Sequence, residues 1–213
     1  MYQKRISMPR SWPLPRKGKK YIIMPKTNYK LEYSIPLVVL IRDILKLANN
    51  SNETKKIIKS GEIEVNNQTI KDEKSAAGLF DIITIKKINK SYIVLLTNKG
   101  KLFLKETKDK IKISKVIGKK ILNKGKTQIN LFGGQNLITK DKINVNDSLL
   151  FDLDKKKTKI LALEKNCEVF IIAGRDRGAK AKVHEVKQNK VLIKIEGKQS
   201  EIPTKNVVVV EGI

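Results

Sequence analysis

Cationic side chains interleaved with aromatic rings are the groups of this sequence best suited to binding chemistry, and they are concentrated in residues 1–35. Nine basic residues and one acidic residue give this segment a net charge of +8, and four prolines oppose helix and central strand alike. Lysine and arginine pair with phosphates, and aromatic rings stack on bases. We therefore predict an extended basic arm that is mobile in the isolated chain and orders on RNA. Its predicted RNA-binding residues are Arg5, Arg10, Trp12, Arg16, Lys17, Lys19, Lys20, Tyr21, Lys26 and Lys30.

The whole chain is strongly basic. Its 213 residues include 46 Lys and Arg against 21 Asp and Glu, so the net charge is +25. Self-repulsion at this charge opposes compaction, and a nucleic-acid partner relieves it. Only six of the basic residues are arginine. Lysine is a mobile point charge that suits phosphate contact, so recognition of RNA backbone and shape is expected more than base readout. An AT-rich genome also raises the share of lysine, but it does not account for the net charge.

Several classes of protein are excluded by what the sequence lacks. The longest apolar run, Ile35–Ile41, is far shorter than the roughly 20 residues of a membrane-spanning helix. One cysteine, Cys167, and one histidine, His184, cannot supply the four ligands of a structural zinc site. The paired carboxylates have no His or Ser partner for general acid–base catalysis. We expect an intracellular, cytoplasmic protein that is not an enzyme and has no metal, cofactor or membrane partner.

The apolar spacing after the arm predicts a helix pair followed by strands. Apolar residues recur at helical spacing from Leu37 to Leu47, and a second helix is predicted from about Glu53 to Ser60. Gly61 suits the left-handed cap that ends a helix. From Glu62 the period changes to two, and Asn66-Asn67 is predicted to form a tight hairpin turn because Asn tolerates positive φ.

The rest of the chain alternates apolar and polar residues and turns repeatedly. This pattern extends over residues 89–164 and again over 165–213, and it is typical of short strands in a small barrel or sandwich. The predicted fold class is therefore α+β, mostly β.

Residues 36–88 resemble the S-four-type RNA-binding domain. The resemblance rests on the spacing of IIKSGEIEVNNQTI and GLFDIITI, in which Lys59, Gly61, Val65, Asn66 and Asp81 fit the family pattern. Asn67 replaces the usual turn glycine, and Gly78 is separated from Asp81. The resemblance implies an α+β module whose basic helix face contacts RNA. That face corresponds to Arg42, Lys55, Lys56 and Lys59.

The segment VFIIAGRDRGAKAKVHEV resembles the KOW motif of ribosomal proteins and transcription elongation factors. The match lies in Gly174, the basic–acidic–basic turn 175–177 and Gly178, whereas Ala181 stands where the family commonly has another glycine. The resemblance implies a C-terminal SH3-like barrel, and glycines beside the loop would let its backbone approach RNA closely. An ordinary hairpin in a basic protein is the alternative. The RNA-binding residues predicted here are Arg175, Arg177, Lys180 and Lys182.

Together, these segments resemble in order the S-four-e family of small-subunit ribosomal proteins of archaea and eukaryotes, and more closely its archaeal branch. Further similarity lies in PRSWPLPRKGKKYIIMPK, IPLVVLIRDILKLA, TQINLFGGQN and KINVNDSLLFDL. The resemblance implies a structural protein of the ribosome whose partners are small-subunit rRNA and neighbouring small-subunit proteins. The predicted division is an arm (1–35), an S-four-type domain (36–88), a small central β domain (89–164) and a KOW domain (165–213).

Two other functions remain open from the sequence. An RNA-modifying protein can carry an S-four-type domain as an appendage, but the 76 residues of 89–164 are few and lysine-rich for a catalytic domain. A transcription elongation factor can use a KOW barrel, but it would lack the S-four-type pattern of residues 61–66.

Overall fold

The computed structural model describes residues 2–155, 157–195 and 198–212. The chain divides into two compact units. The first comprises the residues up to Leu96 together with Gly100–Lys112, and the second comprises Thr97–Lys99 together with the chain from Ile113 onward. Strands predominate over helices in the described residues, which confirms the α+β, mostly β class.

The first unit contains short strands and a helix pair. Its strands are β1 (Tyr2–Lys4), β2 (Tyr21–Ile23), β3 (Ser34–Pro36), β4 (Ile63–Val65), β5 (Gln68–Thr69), β6 (Ala76–Gly78), β7 (Ile82–Ile85), β8 (Lys90–Leu96) and β9 (Leu102–Thr107). Its helices are α1 (Leu37–Val39), which continues as a π-helical turn over Leu40–Ile44, and α2 (Ser51–Lys59). Strands β1 and β2 pair, β3 pairs with β6, and the order β5-β4-β7-β8-β9 forms a five-stranded antiparallel sheet.

The predicted helix pair is present, but its first member differs from an ordinary α-helix. The backbone N–H of Leu45 donates to the Leu40 carbonyl at 2.9 Å, an i→i−5 bond that widens the turn. Lys46 then takes a positive φ of 54°, which ends the helical path. The spacing of buried Leu37, Leu40 and Ile41 predicts helical character correctly, but apolar spacing does not report which carbonyl each N–H will reach.

The predicted turn residues adopt the expected conformations. Gly61 follows α2 with φ +77°. Asn66 and Asn67 both have positive φ, 54° and 59°, and they join β4 to β5, where Val65 pairs with Gln68. Two successive left-handed residues match the right-handed twist of a tight hairpin.

The predicted boundary between residues 88 and 89 falls within a continuous sheet. Strand β8 pairs with β7 from Ile82↔Ile93 to Ile85↔Lys90, and β9 pairs with β8. The connection Lys86–Ile88 is short, and Asn89 has the left-handed φ of 52° that closes a hairpin. Alternation predicted these strands, but it carries no information about which sheet a strand joins.

The predicted mobile arm is also corrected, because residues 2–35 pack into the first unit. Met8, Trp12, Ile22 and Ile23 are all buried, and Trp12 is only 1% exposed. These apolar residues follow no helical or strand period. An irregular segment can therefore contribute to a core that periodicity does not reveal.

The second unit is built mainly from strands, with short 3-10 turns at Asn123–Gly125 and Thr204–Asn206. The strands are β10 (Ile111–Ile121), which enters this unit at Ile113, β11 (Thr127–Leu131), β12 (Asn136–Thr139), β13 (Ser148–Asp152), β14 (Lys157–Leu161), β15 (Glu168–Ile171), β16 (Lys180–Val186), β17 (Lys190–Ile195), β18 (Lys198–Pro203) and β19 (Val207–Val209). They form two five-stranded sheets in the orders β12-β11-β10-β13-β14 and β18-β17-β16-β15-β19.

Each sheet of the second unit has its own apolar cluster. One cluster is formed by Val116, Ile129, Leu131, Ile143 and Leu149. The other is formed by Val169, Ile171, Ala181, Val183, Val191, Ile193, Ile202, Val207 and Val209. Along β16 the buried Ala181 and Val183 alternate with the exposed Lys180, Lys182 and His184, so strand geometry places the basic residues on the outer face.

A buried lysine lies within the second unit. Lys115, on β10, is 3% exposed, and its ammonium donates to the carbonyls of Thr204 at 2.5 Å and Val207 at 2.6 Å. Burial lowers the pKa of Lys115 to about 8. Within the described part of the chain, no helix is both long enough and apolar enough to span a bilayer.

Candidate nucleic-acid interface

Helix α2 carries the basic face predicted for the first unit, and its start is fixed by side-chain caps. The carboxamide of Asn50 accepts from the Glu53 N–H at 2.9 Å, while the Glu53 carboxylate accepts from the Asn49 N–H at 2.8 Å. This reciprocal arrangement satisfies amide groups that a helix start otherwise leaves without partners. Thr54 and Ile58 are buried on the inner side.

The three lysines of α2 are not equivalent. Lys56 and Lys59 are exposed, but Lys55 is half-buried and forms an ion pair with Glu73 at 3.1 Å. The hydrogen bond to Glu73, followed by the charge of that carboxylate, raises the pKa of Lys55. Lys56 and Lys59 are therefore the α2 cations most available to an external phosphate.

Arg42 differs from the predicted RNA contact, because its guanidinium is used within the protein. It binds both carboxylate oxygens of Asp43, at 3.1 and 2.7 Å, and donates to the Ser51 hydroxyl at 2.7 Å. Its side chain is 17% exposed. A planar fork of donors suits such a bidentate contact, and here it ties the π-helical turn to the first residue of α2.

Arg5 and Trp12 are also corrected, because both are buried within the N-terminal segment. The Arg5 guanidinium donates to the Pro15 carbonyl at 2.6 Å, and the Trp12 indole N–H donates to the Ser34 carbonyl at 2.7 Å. Prolines remove backbone donors but leave carbonyls in need of partners. In this segment the Arg5 side chain satisfies a proline carbonyl and the Trp12 side chain satisfies the carbonyl of Ser34, so both side chains hold the backbone in place.

The remaining predicted cations of the segment lie at the surface. Arg16 is exposed, although it also donates to the Met8 carbonyl at 2.7 Å. Tyr21 is exposed as well, beside Lys20. The other predicted cations of this segment that are exposed are Arg10, Lys17, Lys19, Lys20, Lys26 and Lys30, and Lys4, which was not among the predicted residues, is exposed as well.

A buried polar cluster around Asp81 holds the framework of the first unit. Its carboxylate accepts from the Gly78 N–H at 2.7 Å, from the Asn66 amide at 2.8 Å and from the Tyr29 hydroxyl at 2.9 Å, and it pairs with Lys112 at 3.1 Å. Burial, together with the charge of Asp81, raises the pKa of Tyr29. A buried ion pair of this kind is tolerable because hydrogen bonds satisfy the remaining lone pairs.

The sequence pattern identified only part of this cluster. Asn66 and Asp81 fit the S-four-type pattern, but Tyr29 lies in the segment that the sequence predicts to be a mobile arm. The Tyr29 ring packs against Gly78, where an added Cβ would overlap it. No sequence signal connected Lys112 to Asp81, because the two residues lie on segments that only the fold brings together.

The loop 174–178 of the second unit places its two arginines differently. The Arg175 side chain is 87% exposed, beside Asp176. Arg177 donates to the Lys99 carbonyl at 3.4 Å, and a Cβ added to Gly178 would overlap the Thr97 carbonyl. The close backbone approach at Gly178 is therefore to protein. Arg175 remains directed to solvent.

Strand β16 extends a row of lysines across its sheet. Lys182 is opposite Glu168 on one side and Lys194 on the other, and Lys180 is opposite Phe170. Like charges directly opposite each other destabilise a sheet, and Glu168 on the other side of Lys182 offsets part of the repulsion between Lys182 and Lys194. Sequence reasoning found Lys180 and Lys182 but missed Lys194, since the register that brings it beside Lys182 is set by strand pairing.

No group of three or more His, Cys, Asp or Glu residues in the described ranges is arranged to hold a metal ion. His184 is exposed on β16, and Cys167 is half-buried, with its thiol donating to the Glu164 carbonyl.

Comparison with known proteins finds relatives that belong to one family. The model of the ribosomal S4e family matches residues 88–158. The small ribosomal subunit protein eS4 of Archaeoglobus fulgidus is 35% identical over 96% of this chain and 89% of its own. The eS4 protein of Methanosphaera stadtmanae is 36% identical over 86% of this chain and 78% of its own. The crystal structure of the 30S ribosomal protein S4e from Thermoplasma acidophilum superimposes with a TM-score of 0.71 at 26% identity, covering 84% of this chain and 95% of that one.

The fold, the basic surfaces and these similarities define the class as ribosomal proteins. Because the archaeal eS4 proteins match most of its length, the chain belongs to the S4e family.

Proposed function

We propose that the chain is a structural protein of the small ribosomal subunit that binds and stabilises rRNA, with neighbouring small-subunit proteins as further partners, in ribosomes of the cytoplasm. Family membership supports the structural role, and such proteins are not enzymes. The net charge of +25 supports an extended anionic partner.

The same proposal includes the assignment of three parts of the chain to domain types. Residues 36–88 correspond to an S-four-type module whose sheet is continued by β8 and β9. The cap at Gly61, the turn at Asn66-Asn67 and the buried Asp81 support this assignment. Strands β15–β19 correspond to an SH3-like KOW barrel, which their antiparallel five-stranded order supports. Strands β10–β14 then form the central β domain.

One RNA-binding face is proposed on the first unit. The observation that carries it is the amphipathic division of α2: Ile58 is buried inside, while Lys56 and Lys59 project outward. The exposed cations of the N-terminal segment extend this face. Each ammonium that meets a phosphate releases counterions from the RNA, so affinity comes from backbone contact and falls with salt.

A second RNA-binding face is proposed on the second unit, formed by Arg175 with Lys180, Lys182 and Lys194. The exposure of Arg175 and the proximity of Lys182 to Lys194 support it. Arg177 lies beside this face and contacts the Lys99 carbonyl. A sheet face and a loop can together follow an RNA backbone without reading its sequence.

The experiment is sedimentation of the tagged full chain in cell lysate on a sucrose gradient. We expect co-migration with small subunits and binding of purified chain to small-subunit rRNA. The variant Lys56→Gln/Lys59→Gln should incorporate less well. A matched control, Lys90→Gln/Lys159→Gln, removes the same charge from ammoniums already paired with Glu106 and Glu211. Migration of the wild type away from small subunits would contradict the proposed function, and equal loss in both variants would show that only total charge matters.

A further inference from the structure

The paired strands β1 and β2 present exposed aromatic rings. Tyr2 is 63% exposed and Tyr21 is 55% exposed. In the antiparallel register Tyr2 is opposite Ile23 and Lys4 is opposite Tyr21, so Tyr2, Lys4 and Tyr21 lie on the same face of the ribbon as the buried Ile23. The sequence pattern missed Tyr2 and Lys4, because three residues are too few to show alternation.

The two rings are close enough to act together. Tyr2 and Tyr21 occupy diagonal positions of the register, for which the Cα separation is about 7–8 Å, within reach of aromatic side chains. The Lys20 ammonium lies 5.4 Å from the centroid of the Tyr21 ring, in the range of a cation–π contact. Lys4 is directly across from Tyr21. The face therefore combines two ring surfaces with two cations.

The ribbon is held in place from behind, so the rings are presented on a fixed backbone. Ile22, on the opposite side of the strand, is 4% exposed. The Arg5 backbone N–H continues the ladder to the Lys20 carbonyl at 2.9 Å, and the Arg5 guanidinium anchors the chain to Pro15 at 2.6 Å. Preorganisation of this kind lowers the entropy cost of binding.

The surroundings of the ribbon are cationic. Tyr2 is near enough to Lys55 to contribute to the raised pKa of that amine, after the hydrogen bond and charge of Glu73. The ribbon itself contributes Lys4 and Lys20, and Lys55, although paired with Glu73, belongs to the helix that carries Lys56 and Lys59. A ligand on this face has to offer planar π surfaces together with negative charge.

Unpaired RNA offers both, whereas the bases of a duplex are hidden in the stack and an acidic protein surface offers charge without planar rings. We propose that this ribbon face, defined by Tyr2, Lys4, Lys20 and Tyr21, binds unpaired nucleotides of RNA: the tyrosines stack on bases and the lysines contact the adjoining phosphates. The inference rests on the proposed function and adds the kind of RNA structure that is bound. Stacking on aromatic side chains tolerates any base, so the face selects single-stranded character and not sequence.

The test compares the full-length chain with the variant Tyr2→Leu/Tyr21→Leu, which keeps apolar bulk but removes both rings. The probes are a short oligouridylate, a short RNA duplex and polyglutamate. We expect the leucine variant to lose about ten-fold or more of its affinity for oligouridylate, from stacking energies typical of alanine substitutions, while duplex affinity and the salt slope stay unchanged. The matched control Tyr2→Phe/Tyr21→Phe should retain wild-type affinity.

The other possible outcomes distinguish failure of this inference from failure of the proposed function. Unchanged oligouridylate affinity in the leucine variant overturns the inference and leaves the proposed function intact. A fall in polyglutamate binding alone also overturns it and points to an acidic protein. Equal losses for oligouridylate and duplex would mean that the rings support the general basic face and do not select unpaired RNA. Failure of the wild type to bind any RNA would instead overturn the proposed function.

Discussion

The N-terminal segment 2–35 and strand β16 with its preceding loop both present exposed cations, but different interactions position them. In β16 the alternation of the strand is sufficient, since Ala181 and Val183 are buried and every second residue projects outward. In the N-terminal segment regular structure is limited to short elements such as β1 and β2, and much of the remaining backbone is fixed by side chains such as Arg5 and Trp12 that donate to carbonyls. Two physical routes therefore lead to a similar surface chemistry.

The comparison separates the roles of arginine and lysine. Arg5 and Arg42 use their guanidinium groups to join segments of the protein, whereas Lys56, Lys59 and Lys182 are exposed. Exposed Arg175 and the buried Lys112 and Lys115 are exceptions to this division. A rigid fork of donors suits fixed carbonyls and carboxylates, while a flexible ammonium adapts to phosphates whose positions vary.

The largest expected effect is on the core of the N-terminal segment. Trp12→Ala should lower the free energy of unfolding by about 3–5 kcal/mol, because it removes a fully buried ring. Ile193→Ala in β17 should cost about 2–5 kcal/mol for the same reason. Denaturant unfolding measures the loss of stability in both variants, and Tyr21→Ala, which removes an exposed ring, is the control. A negligible effect at Trp12 would mean that residues 2–35 form a mobile arm after all.

The next effect concerns two buried lysines, one in each unit. Lys112 has a carboxylate partner in Asp81, whereas the bonds shown for Lys115 go to two carbonyls. With a pKa of about 8 in the fold against 10.5 in the unfolded chain, Lys115 loses its proton first as pH rises. Between about pH 8 and pH 10.5 the unfolded chain therefore binds more protons than the folded chain. The free energy of unfolding rises with pH across this window, by about 3 kcal/mol at its upper end.

Unfolding of the wild type and of Lys115→Met, measured at pH values across that window, isolates the contribution of Lys115. The difference in unfolding free energy between the two proteins should shift in favour of the wild type as pH increases. A difference that stays constant would show that Lys115 is not desolvated.

A smaller effect distinguishes the two glycines of the loop 174–178. Gly174 has φ +110° with no atom near an added Cβ, so Gly174→Ala should cost about 1–2 kcal/mol of backbone strain. Gly178 has φ +84°, and its Cβ would also overlap the Thr97 carbonyl, so Gly178→Ala should cost more. Thermal unfolding of the two variants compares them directly. Equal losses would indicate that the loop does not pack on Thr97.

The smallest effects test the division between arginine and lysine. Arg42→Gln leaves Asp43 without its bidentate partner and should cost about 1–2 kcal/mol of stability while leaving the salt dependence of RNA binding unchanged. Lys56→Gln should change stability by less than about 0.5 kcal/mol. It should reduce the salt slope of RNA binding by about 0.9 if one duplex phosphate is lost. Calorimetry measures the stability of both variants, and RNA titrations at several salt concentrations measure their salt slopes. A lower salt slope for Arg42→Gln together with a loss of stability for Lys56→Gln would contradict the proposed roles of the two residues.

The sequence predicts local features of the fold well and long-range ones poorly. Helix α2, the cap at Gly61 and the Asn66-Asn67 turn follow from residue types within a few positions. The burial of Trp12 and the pairing of β8 with β7 do not, because they depend on which surfaces meet in three dimensions. Among the candidate RNA-binding residues, Lys180 and Lys182 were predicted from the KOW resemblance, but the internal hydrogen bonds of Arg5 and Arg42 depend on carbonyls and carboxylates that composition does not locate.

The central claim is that exposed lysines bind rRNA by neutralising its phosphates. The most direct measurement is the affinity of the purified full-length chain for small-subunit rRNA as a function of salt concentration. If about six to ten phosphates are neutralised, the affinity should fall by roughly three to five orders of magnitude between about 50 and 200 mM salt. An affinity that is nearly independent of salt would contradict the claim.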